Sequence, residues 1–208
     1  MAHSVHIGKK VLLYFVKYPE PGRVKTRLAT VLGDETAARV YRRLAETNLK
    51  ALDPLREAGV HIVVAYDPPD LQPQVKSWLS GDYDYLPQRG NGLGERLASA
   101  FGSAFEAGAE NVVAVGSDTL GLRAEIIRQS YDALSHGDLV LGPAKDGGYY
   151  LIGLTGYVPG LFRDIPWSTS GVLDATLARA REHGLRCHLL QELEDLDEIS
   201  NMRRREFT

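Results

Sequence analysis

Val11-Leu12-Leu13-Tyr14-Phe15-Val16, followed closely by Pro19-Glu20-Pro21-Gly22-Arg23-Val24-Lys25-Thr26-Arg27-Leu28, is the stretch on which the fold turns. The first part is apolar at every position, without the alternation of a half-exposed strand. It reads as a parallel strand buried on both faces. The second part is a Pro/Gly turn that presents Arg23, Lys25 and Arg27 where the chain leaves that strand. In α/β sheets ligands sit beyond the carboxyl ends of the strands. Cations placed there suit polyphosphate oxygens, because Arg and Lys supply charge-assisted donors. A solvated basic loop is the alternative.

Outward from this stretch, strand and helix patterns alternate. Asp34 is placed to cap a long amphipathic helix with the stripe Ala37, Val40, Tyr41, Leu44, Ala51, Leu52 and Leu55, closed by Gly59. Val60–Tyr66 is a second strand, a short helix follows near Leu71 to Leu79, and a brief strand lies around Tyr83 to Leu86. Gly90-Asn91-Gly92-Leu93-Gly94 leads into a helix carrying Leu97, Ala98, Phe101, Ala104 and Phe105. Val112–Val115 is a short apolar strand, followed by a helix over Ala124 to Leu134, the strand Leu139–Leu141, a turn from Gly142 to Gly148, and the strand Tyr149–Leu154. A helix follows Trp167-Ser168-Thr169, then a last strand over Arg186 to Leu190 and a terminal helix opened by the acidic run Leu193–Glu198. This alternation specifies βαβ units and a mainly parallel sheet, hence an α/β fold. With 208 residues and no internal linker or repeat, the whole of 1–208 reads as one domain.

The net charge of −3 argues against a general nucleic-acid binder. One cysteine, Cys187, excludes a disulfide framework and a CxxC motif. Met1 to His6 lacks the apolar centre of a signal peptide, and no run reaches membrane-span length, so a soluble cytoplasmic protein is expected. The histidines lack metal-site spacing; His61, His136, His183 and His188 read as structural or surface residues, and Arg203-Arg204-Arg205 as a solvated helix end. GxxxxGK[ST] is absent, and Gly90-x-Gly92-x-Gly94 does not match GxGxxG, which excludes a P-loop and disfavours a dinucleotide-binding fold.

Two strand ends carry candidate chemistry. Asp118, in Gly116-Ser117-Asp118-Thr119, lies just past an apolar strand, where a carboxylate is costly unless paired or metal-bound. Mg²⁺ binds through one or two carboxylates plus substrate phosphates, which suits it; capping of the next helix by Asp118 or Thr119 is the alternative. Asp146-Gly147-Gly148 follows another strand, and its glycines permit either a ligand's close approach or a tight turn. Lys145 beside Asp146 reads as a surface ion pair. In the acidic run, dipole stabilisation of the last helix explains most carboxylates, while one of them is free to complete a metal site with Asp118.

Taken together, Phe15 to Leu28, Leu93-Gly94-Glu95-Arg96, Gly116-Ser117-Asp118-Thr119, Gly142 to Leu154, Trp167-Ser168-Thr169 and Asp195-Leu196-Asp197 resemble, in order, the motifs of the radical-SAM/selenodomain-associated transferase family. That family belongs to the nucleotide-diphospho-sugar transferase (GT-A-like) superfamily, and the chain is more distantly similar to 2-phospholactate and molybdenum-cofactor guanylyltransferases. The chain departs from the family pattern at Leu120, where proline is usual, and at Asn91-Gly92, in place of a Gly-Asp pair. The resemblance implies a three-layer α/β/α fold and a Mg²⁺- or Mn²⁺-dependent transferase. It implies that Arg23 and Lys25 hold nucleotide phosphates on the loop that begins with Pro21 and Gly22. Gln88 and the Asn91, Gly92 and Gly94 loop would lie near the base, Asp118 and Asp197 would bind metal with Asp195 as the alternative to Asp197, and Asp146, Gly147 and Gly148 would face a small-molecule acceptor. The leading expectation is a nucleotidylyltransferase that couples an NTP to a phosphorylated or carboxylate acceptor, in which Lys25, Arg23 and Asp118 act in catalysis. A glycosyltransferase using an NDP-sugar and a non-catalytic nucleotide-sensing or partner-binding domain are the alternatives; an oligomer is compatible with each.

Overall fold

A computed structural model describes residues 9–196. The opening apolar run is β1 (Lys10–Lys17), with Val11, Leu12, Leu13, Tyr14 and Val16 all buried. It lies between β2 (Val60–Asp67) and β4 (Asn111–Gly116), parallel to both. β3 (Asp84–Pro87) adds to the outer side of β2, also parallel. On the far side of β4 come β7 (Tyr149–Leu154), β6 (Leu139–Pro143) and β8 (Cys187–Leu189), so the sheet order is β3-β2-β1-β4-β7-β6-β8. β7 runs antiparallel to both its neighbours, which the turn Gly142 to Gly148 makes possible without a crossover helix.

The helices cover both faces. Leu12, Tyr14 and Val16 point into one core, shared with α2 (Asp34–Leu52), α3 (Pro54–Glu57), α4 (Gln72–Trp78) and α6 (Ala124–Leu134). Val11 and Leu13 point into the other, shared with α5 (Leu93–Glu106) and α7 (Val172–Glu182). The strand period of two thus feeds two separate cores and yields the three-layer α/β/α fold expected from the sequence. Among the described residues no helix is long and apolar enough to cross a membrane.

The structure departs from the sequence reading in several places. α1 (Thr26–Leu32) is a helix inside the segment read as a basic loop; only Leu28 of it is buried, so it carries no apolar period to detect. Asp34 is the first residue of α2, not its cap: Gly33, at φ 78°, makes the turn, and the Asp34 carboxylate sits where the helix dipole favours it. α2 ends at Leu52, because Pro54 cannot continue it, and α3 fills the space before Gly59. No helix starts beside Asp118; α6 begins only at Ala124. Glu194-Asp195 does not open a helix but forms β9, antiparallel to β5 (Thr119–Leu120) in a separate two-stranded sheet. Asp197, Glu198 and the Arg203-Arg204-Arg205 triplet lie outside the described residues.

Candidate functional site

The chain runs from β1 outward to β2 and β3, then returns to place β4 on the other side of β1. The loops leaving β1 and β4 therefore diverge, and a crevice opens between them at the carboxyl edge of the sheet, as in other open α/β sheets. A cavity of about 530 Å³ occupies that position. Its wall includes Arg23, Lys25, Gln88, Asp118 and, from β9, Asp195.

Lys25 and Asp118 meet inside it. Lys25 Nζ lies 2.7 Å from Asp118 Oδ2, although 93 residues separate them. The Lys25 side chain is almost buried and its backbone is left-handed, at φ 48° and ψ 46°. A non-glycine residue in that region costs of order 1–3 kcal/mol and persists only where its surroundings impose it. Here the conformation turns the chain into α1 while sending the ammonium back over β4. Arg23 is more exposed, with Nε 3.2 Å from Glu20.

The loop bearing Asp118 is fastened from α2. Asn48 Nδ2 donates to the carbonyls of Ser117 (3.0 Å) and Thr119 (2.9 Å), the two residues flanking Asp118. Tyr41 Oη shares a hydrogen bond of 2.8 Å with Ser117 Oγ and accepts one of 2.9 Å from the Lys17 amide. One helix face thus ties together the ends of β1 and β4. Burial, then the nearby Asp118 carboxylate, pushes the Tyr41 hydroxyl up to about 12, so it remains a neutral donor. Sequence periodicity placed Tyr41 in the helix stripe but could not show that its polar end reaches the site, and it gave Asn48 no role.

Asp195 is brought to the same place by a short pairing. Thr119 and Asp195 face each other across β5 and β9, and the Leu196 amide donates to the Asp118 carbonyl at 3.0 Å. Burial first, then repulsion from Asp118, raises the Asp195 carboxyl to about 7; Lys25 pulls it partly back. Asp195 Oδ1 and Thr119 Oγ1 are buried without a hydrogen-bond partner among the described residues. A buried carboxylate oxygen left over beside a second carboxylate fits a cation. Among the described residues no set of three His, Cys, Asp or Glu side chains could hold a metal. The arrangement suits Mg²⁺ or Mn²⁺, which takes one or two carboxylates and completes its shell from water and phosphate oxygens. Among the described residues, Asp195, the alternative to Asp197 in the sequence reading, lies beside Asp118; Asp197 lies outside them.

Gln88 lies at the end of β3, buried in the cavity wall. Its Nε2 donates to the carbonyls of Val16 (3.1 Å) and Ala65 (2.9 Å), using both amide hydrogens on the ends of β1 and β2. What remains for a ligand is an acceptor oxygen. Arg96, given no role from the sequence, places Nη1 3.0 Å from Asp67 Oδ2 and donates from Nε to the Gly90 carbonyl at 3.2 Å. It joins α5, β2 and the Gly-rich turn on the side of the cavity where Gln88 sits.

Other candidates from the sequence stand outside the cavity wall. Pro21 and Gly22 are exposed on the turn before Arg23, and Asn91 and Gly92 on the turn before α5, where the Asn91 amide donates to Glu95 Oε2 at 2.8 Å. Gly94 is packed under Trp167: a Cβ there would lie 2.6 Å from the indole Nε1 and 2.8 Å from the Phe162 carbonyl. Gly147, at φ 88°, is pressed against the chain itself, since its Cβ would lie 2.2 Å from the Ser170 carbonyl. Asp146 Oδ1 accepts from the Gly148 amide at 2.8 Å, closing the turn, and Lys145 pairs with Glu194 (3.4 Å) rather than with Asp146. The Asp146 carboxylate also adds to the repulsion that raises Asp195.

Among curated proteins none matches the sequence. Among solved structures, the chain is similar to a candidate nucleotide-diphospho-sugar transferase from Desulfovibrio desulfuricans G20, at 35% identity and a TM-score of 0.89, over 96% of this chain and 88% of that one. The inositol-1-phosphate CTP transferase from T. maritima (15% identity, TM-score 0.56, 93% of this chain and 91% of that one) shares the fold. So does the 4-diphosphocytidyl-2C-methyl-D-erythritol synthase from Anaerococcus prevotii (10% identity, TM-score 0.61, 94% and 96%). A family model described as "Uncharacterized protein conserved in bacteria (DUF2064)" matches residues 51–169, more than half of the chain. The chain belongs to that bacterial family, and it has the nucleotide-diphospho-sugar transferase fold.

Proposed function

We propose that this chain is a divalent-cation-dependent nucleotidylyltransferase, joining a nucleoside triphosphate to a small phosphorylated or carboxylate acceptor with release of pyrophosphate. The observation that carries the reading is the apposition of Arg23 and Lys25 with Asp118 and Asp195 across the crevice between β1 and β4. A site with cations on one wall and paired carboxylates on the other suits a polyphosphate bound with its metal. The sequence resemblance to radical-SAM/selenodomain-associated transferases supports it, as does the likeness in fold to transferases that use CTP.

In this reading Arg23 and Lys25 bind the phosphate oxygens and neutralise the charge that develops as pyrophosphate leaves. Asp118 and Asp195 hold Mg²⁺ or Mn²⁺, which when bound supplies further charge neutralisation at the phosphate oxygens. Gln88 offers its acceptor oxygen to an N–H of the base, and the Asn91-Gly92 turn lies beyond it. The turn of Asp146, Gly147 and Gly148 borders the acceptor's approach. The acceptor oxygen attacks the α-phosphorus in line, one P–O bond forming as the bond to pyrophosphate breaks, so positioning is the main demand. The chain's own residues supply that positioning through Tyr41, Asn48 and the β5–β9 pairing.

The test is incubation with each NTP or NDP-sugar, Mg²⁺ and a panel of sugar phosphates and carboxylates, scoring the product released. Pyrophosphate release from an NTP is expected. Nucleoside diphosphate release from an NDP-sugar, without pyrophosphate, would replace this reading with a glycosyltransferase. Failure of every nucleotide to bind in the presence of metal would leave a partner-binding scaffold.

A further inference from the structure

Lys25 and a metal ion would share one carboxylate, that of Asp118. Lys25 Nζ is 2.7 Å from Asp118 Oδ2, with the Lys25 side chain 7% exposed and that of Asp118 34% exposed. The ammonium is held there by the left-handed backbone of Lys25, by the start of α1 at Thr26, and by burial of Val24 and Leu28 on either side. On the opposite wall, Asn48 and the Leu196 amide fix the backbone around Asp118, so the carboxylate cannot retreat with its loop.

We infer that Lys25 makes metal and polyphosphate bind together rather than separately. The inference rests on reading the cavity as a cation-dependent nucleotide site. A cation arriving alone on the Asp118 carboxylate weakens its ion pair with Lys25 and sets a doubly positive ion beside a nearly buried ammonium. Each of those changes is unfavourable in a shielded site. When the cation arrives on a phosphate chain, the phosphate oxygens offset the repulsion and offer Lys25 a charge-assisted hydrogen bond. The Lys25–Asp118 pair therefore couples the two ligands, and by linkage each must raise the affinity of the other by the same factor.

The ligands used to test this are Mn²⁺ alone, sodium tripolyphosphate alone, and the Mn²⁺–tripolyphosphate complex, which carry no base. Free Mn²⁺ is followed by electron paramagnetic resonance with wild type, Lys25→Met and Lys25→Arg, with circular dichroism as the check on folding. Lys25→Met is expected to bind Mn²⁺ alone at least about ten-fold more tightly than wild type, within the usual range of coupling between sites. Lys25→Arg, which keeps the charge, is expected to stay near wild type. Equal or weaker Mn²⁺ binding by Lys25→Met would overturn the coupling while leaving the metal site standing. Should Lys25→Met fail to fold, thermal shifts of wild type decide: the complex is expected to stabilise by more than the sum of its two components, and additive shifts would overturn the inference. Absence of binding in every arm, the complex included, would overturn the metal reading itself together with this one.

Discussion

Lys25 Nζ lies 2.7 Å from Asp118 Oδ2, and the two residues lie on the loops that follow adjacent parallel strands, β1 and β4. The pair marks the point where the order of strands reverses, between the halves of the sheet. Everything assigned to the site is organised around it: Arg23 and Gln88 on the β1 side, Asp195 and the α2 anchors on the β4 side.

Asp118→Asn keeps the shape but removes the charge that faces Lys25 and a cation. Turnover is expected to fall by about 10²–10³-fold, the usual loss for one electrostatic group in a transition state. Mn²⁺-dependent nucleotide binding, measured by calorimetry, is expected to be lost as well. Retained metal-dependent binding would remove Asp118 from the metal site.

Asn48→Ala strands the carbonyls of Ser117 and Thr119, and Tyr41→Phe strands the Lys17 amide. Each is expected to cost about 1–3 kcal/mol in urea unfolding, the range for a buried partner left unpaired. Because these residues hold the loop of Asp118, Mn²⁺–nucleotide affinity should fall by more than it does for a core variant of equal stability cost such as Ile126→Val. An equal fall in both would make them purely structural.

The carboxyl of Asp195 stands at about 7 in the folded chain against an ordinary value of 3.8. Its folded value is raised, so the acid form is the one folding favours. That contribution to stability is complete below pH 4 and is lost as pH rises towards 7. Measured in EDTA, wild type is expected to lose stability across this window relative to Asp195→Asn, which stays neutral throughout. Parallel pH profiles for the two proteins would contradict the assignment.

Glycines of the α5 turn separate packing from ligand contact. Gly94→Ala meets the Trp167 indole and the Phe162 carbonyl and is expected to destabilise by about 1–3 kcal/mol without any nucleotide present. Gly92 has φ −146° and nothing within 4 Å of an added Cβ, so Gly92→Ala should change stability by less than about 0.5 kcal/mol. A loss of nucleotide affinity in Gly92→Ala would then report the ligand itself; no loss would remove Gly92 from the base site.

Several of these relationships were legible in the sequence. The unbroken apolar run Val11–Val16 and the cations after it announce a buried strand and a strand-end site, and Asp118 follows Val112–Val115 in the same manner. That Lys25 and Asp118 touch was not legible, because the order of strands in a sheet is a tertiary property and no local pattern brings β4 beside β1. α1 escaped notice because one buried residue makes no period. The sequence makes Asp195 only the alternative to Asp197, because β5 and β9 are two residues each, stabilised by their mutual pairing rather than by local propensity. The polar tips of Tyr41 and Asn48 lie on the buried face of α2, where periodicity reports burial but not the partner. Gly94 and Gly147 show the reverse: glycines suggestive of a ligand's approach are required by Trp167 and Ser170.

The most direct measurement of the central claim is a crystal structure of wild type with Mn²⁺ and a non-hydrolysable nucleoside triphosphate, read by anomalous scattering. The account predicts an anomalous peak within coordination distance of the Asp118 and Asp195 carboxylates, with Lys25 Nζ moved from Asp118 to a phosphate oxygen. A peak elsewhere, or a nucleotide whose phosphates lie away from Lys25, would contradict it.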